Sequence, residues 1–238
     1  MQAIILAGGK GTRLKPYTIV FPKPLMPIGD YPILEVMIRQ LKSNGFDEIV
    51  IAVGYLKALI QNFFEDGRRW GVSISYSAEE KPLGTAAPLK LIKKYEENFL
   101  VMNGDVLTNL NYKNFFEFHK RSGALCTIAS YNKPVKIDLG VLKLNEVNEL
   151  YDYLEKPTIN FNVSMGIYAF KKEVLEYIPD QKYFDFPELI KVLLESGKKV
   201  LSYPFEGYWF DIGRQEDYEL ATHEFERLRS EFLRDGIQ

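Results

Sequence analysis

A short apolar segment followed directly by three glycines most constrains what this chain can fold into. Residues 3–7 (AIILA) are ended by Gly8 and Gly9, and Gly11 follows after one residue. A run this short, stopped by glycine, predicts a strand buried on both faces. A loop without Cβ atoms can turn sharply and bring backbone N–H groups close to an anion. Open α/β sheets bind nucleotides at this position, the carboxyl end of the first strand.

The loop departs from the two best-known phosphate motifs. The P-loop requires Lys and then Ser or Thr after its last glycine, but Gly11 precedes Thr12 and Arg13. The dinucleotide fingerprint requires Gly or Ala where Leu14 stands. The Thr12 hydroxyl and the forked Arg13 guanidinium still suit phosphate oxygens. We therefore expect a phosphate-binding loop of another type. The alternative is a tight connection after the strand that binds no ligand.

A proline-rich stretch follows the loop. Five prolines between Lys15 and Pro32 fix φ repeatedly and predict a stiff, non-helical excursion. Lys23 lies between Pro22 and Pro24 and is expected on extended backbone. It is either a surface lysine or a cation aimed at phosphate.

Hydrophobic periodicity predicts an α/β fold with a doubly wound, mostly parallel mixed sheet. Helical spacing over residues 33–44 and 56–64 alternates with strands over 48–53 and 72–76. The later elements predicted are helices over 86–95, 112–121, 172–178, 186–195 and 216–234, strands over 98–103, 124–131, 162–170 and 200–205, a break at 133–136, and hairpins within 139–155 and 206–213. We expect a single unit over 1–238, with a nucleotide-binding half over about 1–135 and an inserted substrate-binding half over about 136–238.

Composition excludes several classes of protein. A net charge of −2 does not favour nonspecific nucleic-acid binding, and no apolar run approaches the ~20 residues of a membrane span. The chain begins a strand at once, which leaves no room for a signal peptide, so a cytoplasmic protein is expected. Cys126, the single cysteine, lies in an apolar run and is expected to be inert. Two histidines and one cysteine are too few for a His/Cys metal site.

Two aspartates are candidate metal ligands. Asp105 and Asp211 each follow an apolar segment at a predicted turn. Two carboxylates can hold Mg²⁺, which keeps several waters and is completed by substrate phosphates. For Asp105, a helix N-cap or turn residue is the alternative.

Several motifs together resemble the signature of the sugar-1-phosphate nucleotidyltransferases. The resemblance begins with GGKGTRL at residues 8–14 and covers nearly the whole chain. Its further parts are Pro16, Thr18, Pro22-Lys23-Pro24, Leu83-Gly84-Thr85-Ala86, Asn103-Gly104-Asp105, Glu155-Lys156-Pro157 and Trp209-Phe210-Asp211-Ile212-Gly213. It implies a Rossmann-like nucleotidyltransferase fold of the glycosyltransferase-A type. It also implies an Mg²⁺-dependent enzyme that joins a nucleoside triphosphate to a sugar 1-phosphate and releases pyrophosphate.

The resemblance also assigns roles to residues. It implies that Arg13 and Lys23 act on the triphosphate and, with Asp105, form the catalytic set, while Asp105 and Asp211 hold the metal. The implied nucleotide-binding residues are Leu6, Ala7, Gly8, Gly9, Gly11, Thr12, Arg13, Glu79, Gly84 and Asp105. The implied sugar-phosphate-binding residues are Gly140, Glu155, Lys156, Ser164 and Asp211.

Glu79 bears on the choice of base. Relatives that use thymidine or uridine nucleotides tend to carry glutamine at this position. A carboxylate only accepts hydrogen bonds, and guanine offers two adjacent donors, N1–H and the 2-amino group. This favours GTP and places the chain nearest the mannose-1-phosphate guanylyltransferase-like branch. A solvated loop acid is the alternative, and Glu80 is the other candidate.

The chain also departs from its relatives. Many have Asn-Ala-Gly where Ser164-Met165-Gly166 stands, and serine offers one donor where asparagine offers two. The identity of the sugar, mannose included, is therefore open. No C-terminal β-helix domain is expected, so we expect nucleotidyl transfer alone.

Other functions stay open at this point. One is uridylyl, thymidylyl or cytidylyl transfer, and another is a noncatalytic nucleotide-sugar sensor on the same fold. The presence of Arg13, Lys23 and both aspartates argues against a sensor. Leu14, and the lack of an acid after the second strand, argue against a dinucleotide-dependent oxidoreductase. The expected partners are a nucleoside triphosphate and a sugar 1-phosphate, without nucleic acid or membrane, and assembly of several copies is left open.

Overall fold

The computed structural model describes residues 1–233 of the 238-residue chain. Within that range the strands are β1 (Gln2–Ala7), β2 (Pro27–Ile28), β3 (Tyr31–Pro32), β4 (Glu48–Val53), β5 (Ser73–Ala78), β6 (Asn98–Asn103), β7 (Val106–Thr108), β8 (Cys126–Lys136), β9 (Val141–Leu144), β10 (Leu150–Leu154), β11 (Thr158–Lys171), β12 (Val200–Phe205) and β13 (Trp209–Asp211). The α-helices are α1 (Ile33–Ser43), α2 (Lys57–Phe64), α3 (Tyr112–Ser122), α4 (Phe186–Glu195), α5 (Gln215–Arg227) and α6 (Arg229–Phe232). Short 3₁₀ helices lie at Thr12–Leu14, Tyr17–Ile19, Lys23–Leu25, Arg68–Trp70, Ala87–Leu91 and Lys172–Tyr177.

Seven strands form one sheet in the order β12-β8-β11-β6-β1-β4-β5. The pairs β1–β4, β4–β5, β1–β6 and β8–β12 are parallel, and β11 runs antiparallel to both of its neighbours. The predicted α/β class with a mostly parallel mixed sheet is therefore confirmed. Strands from both predicted halves share this sheet.

Alternate residues of each central strand enter two separate hydrophobic cores. Ile5 of β1 packs in one core and its neighbour Ile4 in the other, as the two-residue period of a strand requires. Helices α1, α2, α3 and α5 cover the first face, while α4 and the 3₁₀ helix Ala87–Leu91 cover the second. This double cover explains why the strands read as nearly continuous apolar runs.

The proline-rich excursion differs from its prediction. Three 3₁₀ helices form along it, and Lys23 begins the third of them rather than lying on extended backbone. Lys23 is also buried, so the surface-lysine alternative is wrong. Proline permits this because its fixed φ is compatible with the first turn of a helix.

The predicted helix over 86–95 is also wrong beyond its start. Only Ala87–Leu91 is helical, with 3₁₀ geometry, and Ile92 is already extended. The amides of Ala86 and Ala87 both donate to the Phe184 carbonyl, which binds this segment to the chain before α4. The helix over 172–178 is likewise a 3₁₀ helix, Lys172–Tyr177.

Strand β8 continues through the break predicted at 133–136. It pairs with β11 as far as Lys136 and Thr158, with Pro134 opposite Asn160. On the other side of β8, the pairing with β12 ends at Tyr131 and Phe205 within the described residues. Pro134 therefore stands at an edge position, which tolerates proline. The predicted hairpin over 139–155 is confirmed as β9 and β10.

Two C-terminal predictions need correction. The segment 206–213 forms no hairpin with itself, because β13 pairs antiparallel with the distant β7. The helix predicted over 216–234 is broken at Leu228 into α5 and α6, and Arg234 lies outside the described residues. Cys126 is buried as expected, and burial raises the pKa of its thiol.

Candidate active site

A cleft of about 920 Å³ opens at the carboxyl ends of β1, β4 and β6. Every residue predicted to bind nucleotide lines this cleft, and so does Lys23. They are Leu6, Ala7, Gly8, Gly9, Gly11, Thr12, Arg13, Glu79, Gly84 and Asp105. The loop from Glu79 to Gly84 therefore lies on the same sheet edge as the glycine loop, as predicted.

The glycine loop is held in shape by Thr18. Gly11 has a φ of +59°, and a Cβ there would lie 2.9 Å from Thr18 Cγ2. The Thr18 hydroxyl donates to the Gly11 carbonyl at 2.7 Å, and Thr18 is buried. Gly11 is thus required by both its backbone conformation and its surroundings.

Lys23 and Asp105 form an ion pair at the floor of the cleft. Lys23 Nζ lies 2.5 Å from Asp105 Oδ2, with the lysine side chain 9% exposed and the aspartate 24% exposed. The third 3₁₀ helix of the excursion directs Lys23 inward, and the end of β6 presents Asp105. A cation buried this far is costly unless it is paired, and here its partner is the predicted metal ligand.

The pairing of β7 with β13 brings the two predicted metal ligands together. The Ile212 amide donates to the Asp105 carbonyl at 3.0 Å, and Asp211 lies opposite Val106. Asp211 is solvent-exposed at the end of β13, two residues before Gly213, which lines the cleft. Desolvation by its surroundings and the negative charge of Asp105 raise the pKa of Asp211, which Lys23 and Arg13 partly oppose.

Arg13 completes this group of charges. A Cβ added to Gly213 would lie 3.3 Å from Arg13 Nη1, so the guanidinium lies against the turn that follows Asp211. Two cations and two carboxylates from four separate segments therefore meet at one end of the glycine loop.

The donor set of this group fits Mg²⁺. Over residues 1–233, no three His, Cys, Asp or Glu side chains cluster in a way that could hold a metal by themselves. Mg²⁺ does not need such a cluster, because one or two carboxylates with waters and substrate phosphates suffice. Asp105, directly before β7, and Asp211, in β13, supply hard oxygen ligands near each other. Desolvation first and the charge of Asp105 second raise the pKa of Asp211, and a cation would offset the second of these causes.

Glu79 is half-buried in the wall of the nucleotide cleft. Its Oε2 accepts from the Leu83 amide at 3.0 Å. Its Oε1 lies so close to two glycines that a Cβ on Gly8 would be 2.8 Å away and one on Gly54 2.9 Å away. Burial raises the pKa of the Glu79 carboxyl, and the Leu83 hydrogen bond offsets part of that rise. Glu80 also lines the cleft, so the structure leaves both acids within reach of a ligand.

A connection to helix α4 fixes the far end of the Glu79 loop. Asp185 Oδ1 accepts from the Thr85 amide at 2.8 Å and from its hydroxyl at 2.9 Å. The Thr85 hydroxyl accepts from the Phe186 amide at 2.9 Å, and the Phe184 amide donates to the Leu83 carbonyl at 2.8 Å. The loop is therefore held at both ends.

Asp185, Tyr183 and Gly54 also line the cleft and were not among the residues predicted from the sequence. An N-cap signal was present for Asp185, since Glu188 stands three residues later and the two form a capping box. Its bonds to Thr85 join residues far apart in the chain, so no local pattern could indicate them. Tyr183 and Gly54 carried no signal of their own.

None of the predicted sugar-phosphate residues lines this cleft, although Asp211 lies near the charged groups of Asp105, Lys23 and Arg13. Gly140, Glu155, Lys156 and Ser164 are exposed. The Tyr153 hydroxyl joins two of them, since it donates to Glu155 Oε2 at 2.9 Å and lies where a Cβ on Gly140 would collide with it.

Two further features mark this side of the site. Lys156 has a φ of +43°, an unfavourable conformation for lysine of the kind that is often found at functional positions. The Ser164 hydroxyl donates to the Tyr168 hydroxyl at 3.1 Å and accepts from the Gly166 amide, at an irregularity between β11 and β8.

Comparisons with known proteins show which proteins this chain is similar to. The family model described as nucleotidyl transferase matches residues 2–227. The chain is 34% identical over 238 residues to a UTP–glucose-1-phosphate uridylyltransferase of Synechocystis sp., covering 92% of this chain and 61% of the relative. It is 35% identical over 231 residues to a mannose-1-phosphate guanyltransferase of Candida albicans, covering 93% of this chain and 64% of the relative. The chain thus spans about three-fifths of the length of these relatives.

A solved structure is similar over nearly its whole length. It is HddC from Yersinia pseudotuberculosis complexed with GMP-PN, with a TM-score of 0.71, 27% identity, and coverage of 94% of this chain and 99% of that one. Within residues 1–233, no helix is both long enough and apolar enough to cross a membrane.

Proposed function

The chain belongs to the nucleotidyl transferase family, and we propose that it transfers a nucleotidyl group from a nucleoside triphosphate to a sugar 1-phosphate. The products are a nucleoside-diphosphate sugar and pyrophosphate. The observation that carries the proposal is the meeting of Arg13, Lys23, Asp105 and Asp211 beside a glycine loop. The members of the family with which it aligns act on sugar 1-phosphates according to their names.

The reaction requires little from the protein except electrostatic control. A phosphate oxygen of the sugar 1-phosphate attacks the α-phosphorus, the bond from that phosphorus to the β-phosphate oxygen breaks, and pyrophosphate leaves with the electron pair. Because both reactants are anions, their repulsion forms much of the barrier. Arg13 and Lys23 offset that repulsion and stabilise charge on the leaving group, while backbone N–H groups of the glycine loop hold the phosphates.

The carboxylates Asp105 and Asp211 would hold Mg²⁺. The ion would neutralise phosphate charge and align the phosphate oxygens. Lys23, which is paired with Asp105 at 2.5 Å, keeps that carboxylate oriented and places a cation beside the position of the phosphates.

GTP is the nucleotide that the cleft favours in this proposal. The Leu83 amide fixes Glu79 Oε2, and Oε1 stays within the cleft as an acceptor for guanine N1–H and the 2-amino group. Burial raises the pKa of Glu79, which disfavours its ionised form, and the two guanine donors would stabilise that ionised form by hydrogen bonding to it. The GMP-PN complex of HddC and the guanyltransferase relatives agree with guanine, whereas the Synechocystis relative uses UTP.

The sugar phosphate is proposed to bind beside Asp211, with Gly140, Glu155, Lys156 and Ser164 as its contacts. Glu155 would accept from sugar hydroxyls, and Lys156 would pair with the phosphate. The Tyr153 hydroxyl orients Glu155 for that role. Since Ser164 offers a single donor, the identity of the sugar needs a direct screen.

The decisive experiment combines four NTPs and dTTP with a panel of mannose, heptose, glucose and amino-sugar 1-phosphates in the presence of Mg²⁺. Released pyrophosphate is measured, and each NDP-sugar is identified by mass spectrometry. We expect pyrophosphate release that requires both substrates and is fastest with GTP. No release with any pair would overturn the proposed activity, and faster release with UTP, dTTP or CTP would overturn the guanine assignment alone.

A matched pair of variants tests the base contact. Inosine triphosphate lacks the 2-amino donor, so wild-type protein should bind it worse than GTP by about 1.5–3 kcal/mol, roughly ten- to a hundredfold. Glu79→Gln should narrow this gap and admit UTP better, while Glu80→Gln should leave it unchanged. If Glu80→Gln narrows the gap and Glu79→Gln does not, the neighbouring acid reads the base.

A further inference from the structure

The last strand of the central sheet is left bare on one face. Strand β5 ends the sheet, and its Ile74 side chain belongs to the first hydrophobic core. Because alternate residues of a strand point to opposite faces, Ser73, Ser75 and Ser77 point to the other face. Within the described chain, the second core includes Val50 of β4 but no residue of β5. The hydrophobic cover of that face therefore stops at β4, and three serines continue the sheet beyond it.

The chain that follows the 3₁₀ helix Ala87–Leu91 forms a wall beside this bare face. Residues 92–94 are not helical, and the buried Gln2 side chain at the start of β1 holds them in place. Its Nε2 donates to the Lys94 carbonyl at 3.0 Å, and its Oε1 accepts from the Glu96 amide at 3.1 Å. Both polar ends of a buried amide are thus paired, which fixes the position of the wall.

A cavity of about 460 Å³, here called the second cavity, lies between this wall and the sheet. Its floor includes Glu48 opposite Ser73 and Val50 opposite Ser75, and residues 91–94 form its side. Among the described residues, it shares Ser77 and Leu91 with the nucleotide cleft. Small molecules bind in cavities of roughly 300–1,000 Å³, so the second cavity is large enough for a ligand of its own.

The floor of the second cavity carries hydroxyl groups without partners. None of the side chains of Ser73, Ser75 and Ser77 makes a hydrogen bond within residues 1–233. Ser77 is only 8% exposed, and it lines the cavity. A hydroxyl buried this far is unfavourable unless a group in the cavity pairs with it. The three serines are spaced roughly 7 Å apart along the strand, so the row suits a ligand with several hydroxyl groups.

The charged groups of the second cavity favour an anion. Lys93 and Lys94 line it with Glu48, so its lining carries more positive than negative charge. Lys94 Nζ lies 3.6 Å from Glu48 Oε1, whereas Lys93 makes no ion pair within the part of the chain that the structure describes. Lysine binds phosphate as a point charge, which needs no fixed geometry. A single carboxylate in the lining is too little for a metal site, and a floor of serines does not suit an apolar ligand.

We propose that the second cavity binds a phosphate ester of a small polyhydroxy compound. The ammonium groups of Lys93 and Lys94 bind the phosphate, and the serine hydroxyls and Glu48 pair with the hydroxyl groups of the ligand. Val50 and Leu91 pack against its carbon skeleton. This binding is independent of the proposed nucleotidyl transfer, because the lysines, Glu48, Ser73 and Ser75 do not line the nucleotide cleft.

Isothermal titration calorimetry of the full chain with sorbitol 6-phosphate tests the proposal. This probe has a phosphate and several hydroxyls but no anomeric carbon, so it cannot react as a sugar 1-phosphate. We expect one molecule to bind per chain with a Kd below about 1 mM. Sorbitol lacks the phosphate and inorganic phosphate lacks the hydroxyls, so each should bind at least roughly tenfold more weakly. The absence of binding at 10-fold higher concentrations of sorbitol 6-phosphate would overturn the proposal.

Variants locate the binding. Lys93→Glu/Lys94→Glu should weaken sorbitol 6-phosphate binding by roughly tenfold or more, and Ser75→Val by roughly two- to tenfold. Lys113→Glu/Lys191→Glu is the matched control, because both lysines are exposed and line neither cavity, and it should bind like the wild type. Binding that is lost in Arg13→Ala but kept in the Lys93 and Lys94 variant would place the probe in the nucleotide cleft and overturn the proposal.

Hydrogen exchange of the wild type provides a second measurement that needs no variant. Saturating sorbitol 6-phosphate should slow exchange of the amides over 73–77 and 91–94, the two sides of the second cavity. Protection confined to the glycine loop would overturn the proposal. Neither measurement involves turnover, so a negative result here leaves the proposed nucleotidyl transfer standing.

Discussion

Asp211→Asn is expected to lower activity and raise stability at the same time. At neutral pH Asp211 is ionised, and its desolvation and its repulsion from Asp105 destabilise the folded state. The attraction of Lys23 and Arg13 does not fully offset these two effects. Asparagine keeps the shape and removes the charge. Turnover should fall by roughly 10²-fold or more, which is the usual loss when a group that stabilises transition-state charge is removed.

The gain in stability has a definite pH dependence. A carboxyl whose pKa lies above its ordinary value of 3.8 stabilises the fold only while it is protonated, and that stability is lost as the pH rises through the raised pKa. The free energy of unfolding of Asp211→Asn should therefore exceed that of the wild type by its full amount at pH 7, and the difference should disappear below pH 3.8. Because Asp211 is exposed, the gain should not exceed about 1 kcal/mol, or about 2–4 °C in Tm.

Urea unfolding at pH 7 and pH 3.5, together with pyrophosphate release at pH 7, measures both effects. Asp47→Asn is the control, because Asp47 lies 2.7 Å from Lys42 and loses an attraction when its charge is removed. That variant should be neutral or less stable at pH 7, with activity unchanged. A destabilised Asp211→Asn, or a gain of equal size at both pH values, would refute the reasoning.

Three further variants test the surroundings of the cleft. Arg13→Lys keeps the charge but loses the fork, so kcat should fall more than the KM for nucleotide changes, and steady-state kinetics with an effect on KM alone would remove its transition-state role. Asp185→Ala should lower the free energy of unfolding by about 0.5–2 kcal/mol through loss of the helix cap and raise the nucleotide KM, and Thr85→Val should reproduce the KM effect without the full loss of stability. Gly54→Ala places a Cβ 2.8 Å from the Gly8 carbonyl oxygen. It should lower the free energy of unfolding, measured by denaturant titration, by about 1–3 kcal/mol and should weaken nucleotide binding. Unchanged binding would contradict the close packing of these two loops.

The parts of the fold that are specified locally could be predicted from the sequence. β4 and β6 match their predicted bounds, and α1 and α4 lie within one residue of theirs, because each shows a clear period and a recognisable stop. The helix over 86–95 failed because the bonds of Ala86 and Ala87 to Phe184 decide its geometry. That partner is distant in sequence and leaves no local trace.

The candidate site likewise contains some residues that local sequence predicts and others whose placement depends on distant parts of the chain. The glycine loop and Asp105 stand at strand ends, where the topology of a parallel sheet predicts that they meet. The nearness of Asp105 to Asp211 depends on β7 pairing with β13, and no periodicity indicates which strands pair. Burial of Lys23 was missed because proline spacing reports on backbone freedom and not on the direction of a side chain.

The pairing of β7 with β13 has a consequence for how the protein is made. Ribosomes add roughly 5–20 residues per second, so the about one hundred residues between Asp105 and Asp211 take roughly 5–20 s to synthesise. During that interval the glycine loop, Lys23 and Asp105 have all been synthesised, whereas the strand that carries Asp211 has not. A nascent chain therefore has the glycine loop, Lys23 and Asp105 available before the segment 184–186 that fixes the Glu79 loop and before the second carboxylate. The same separation makes the turn that links β12 to β13 a natural place to divide the protein into two fragments, whose reassociation could be followed by recovery of activity.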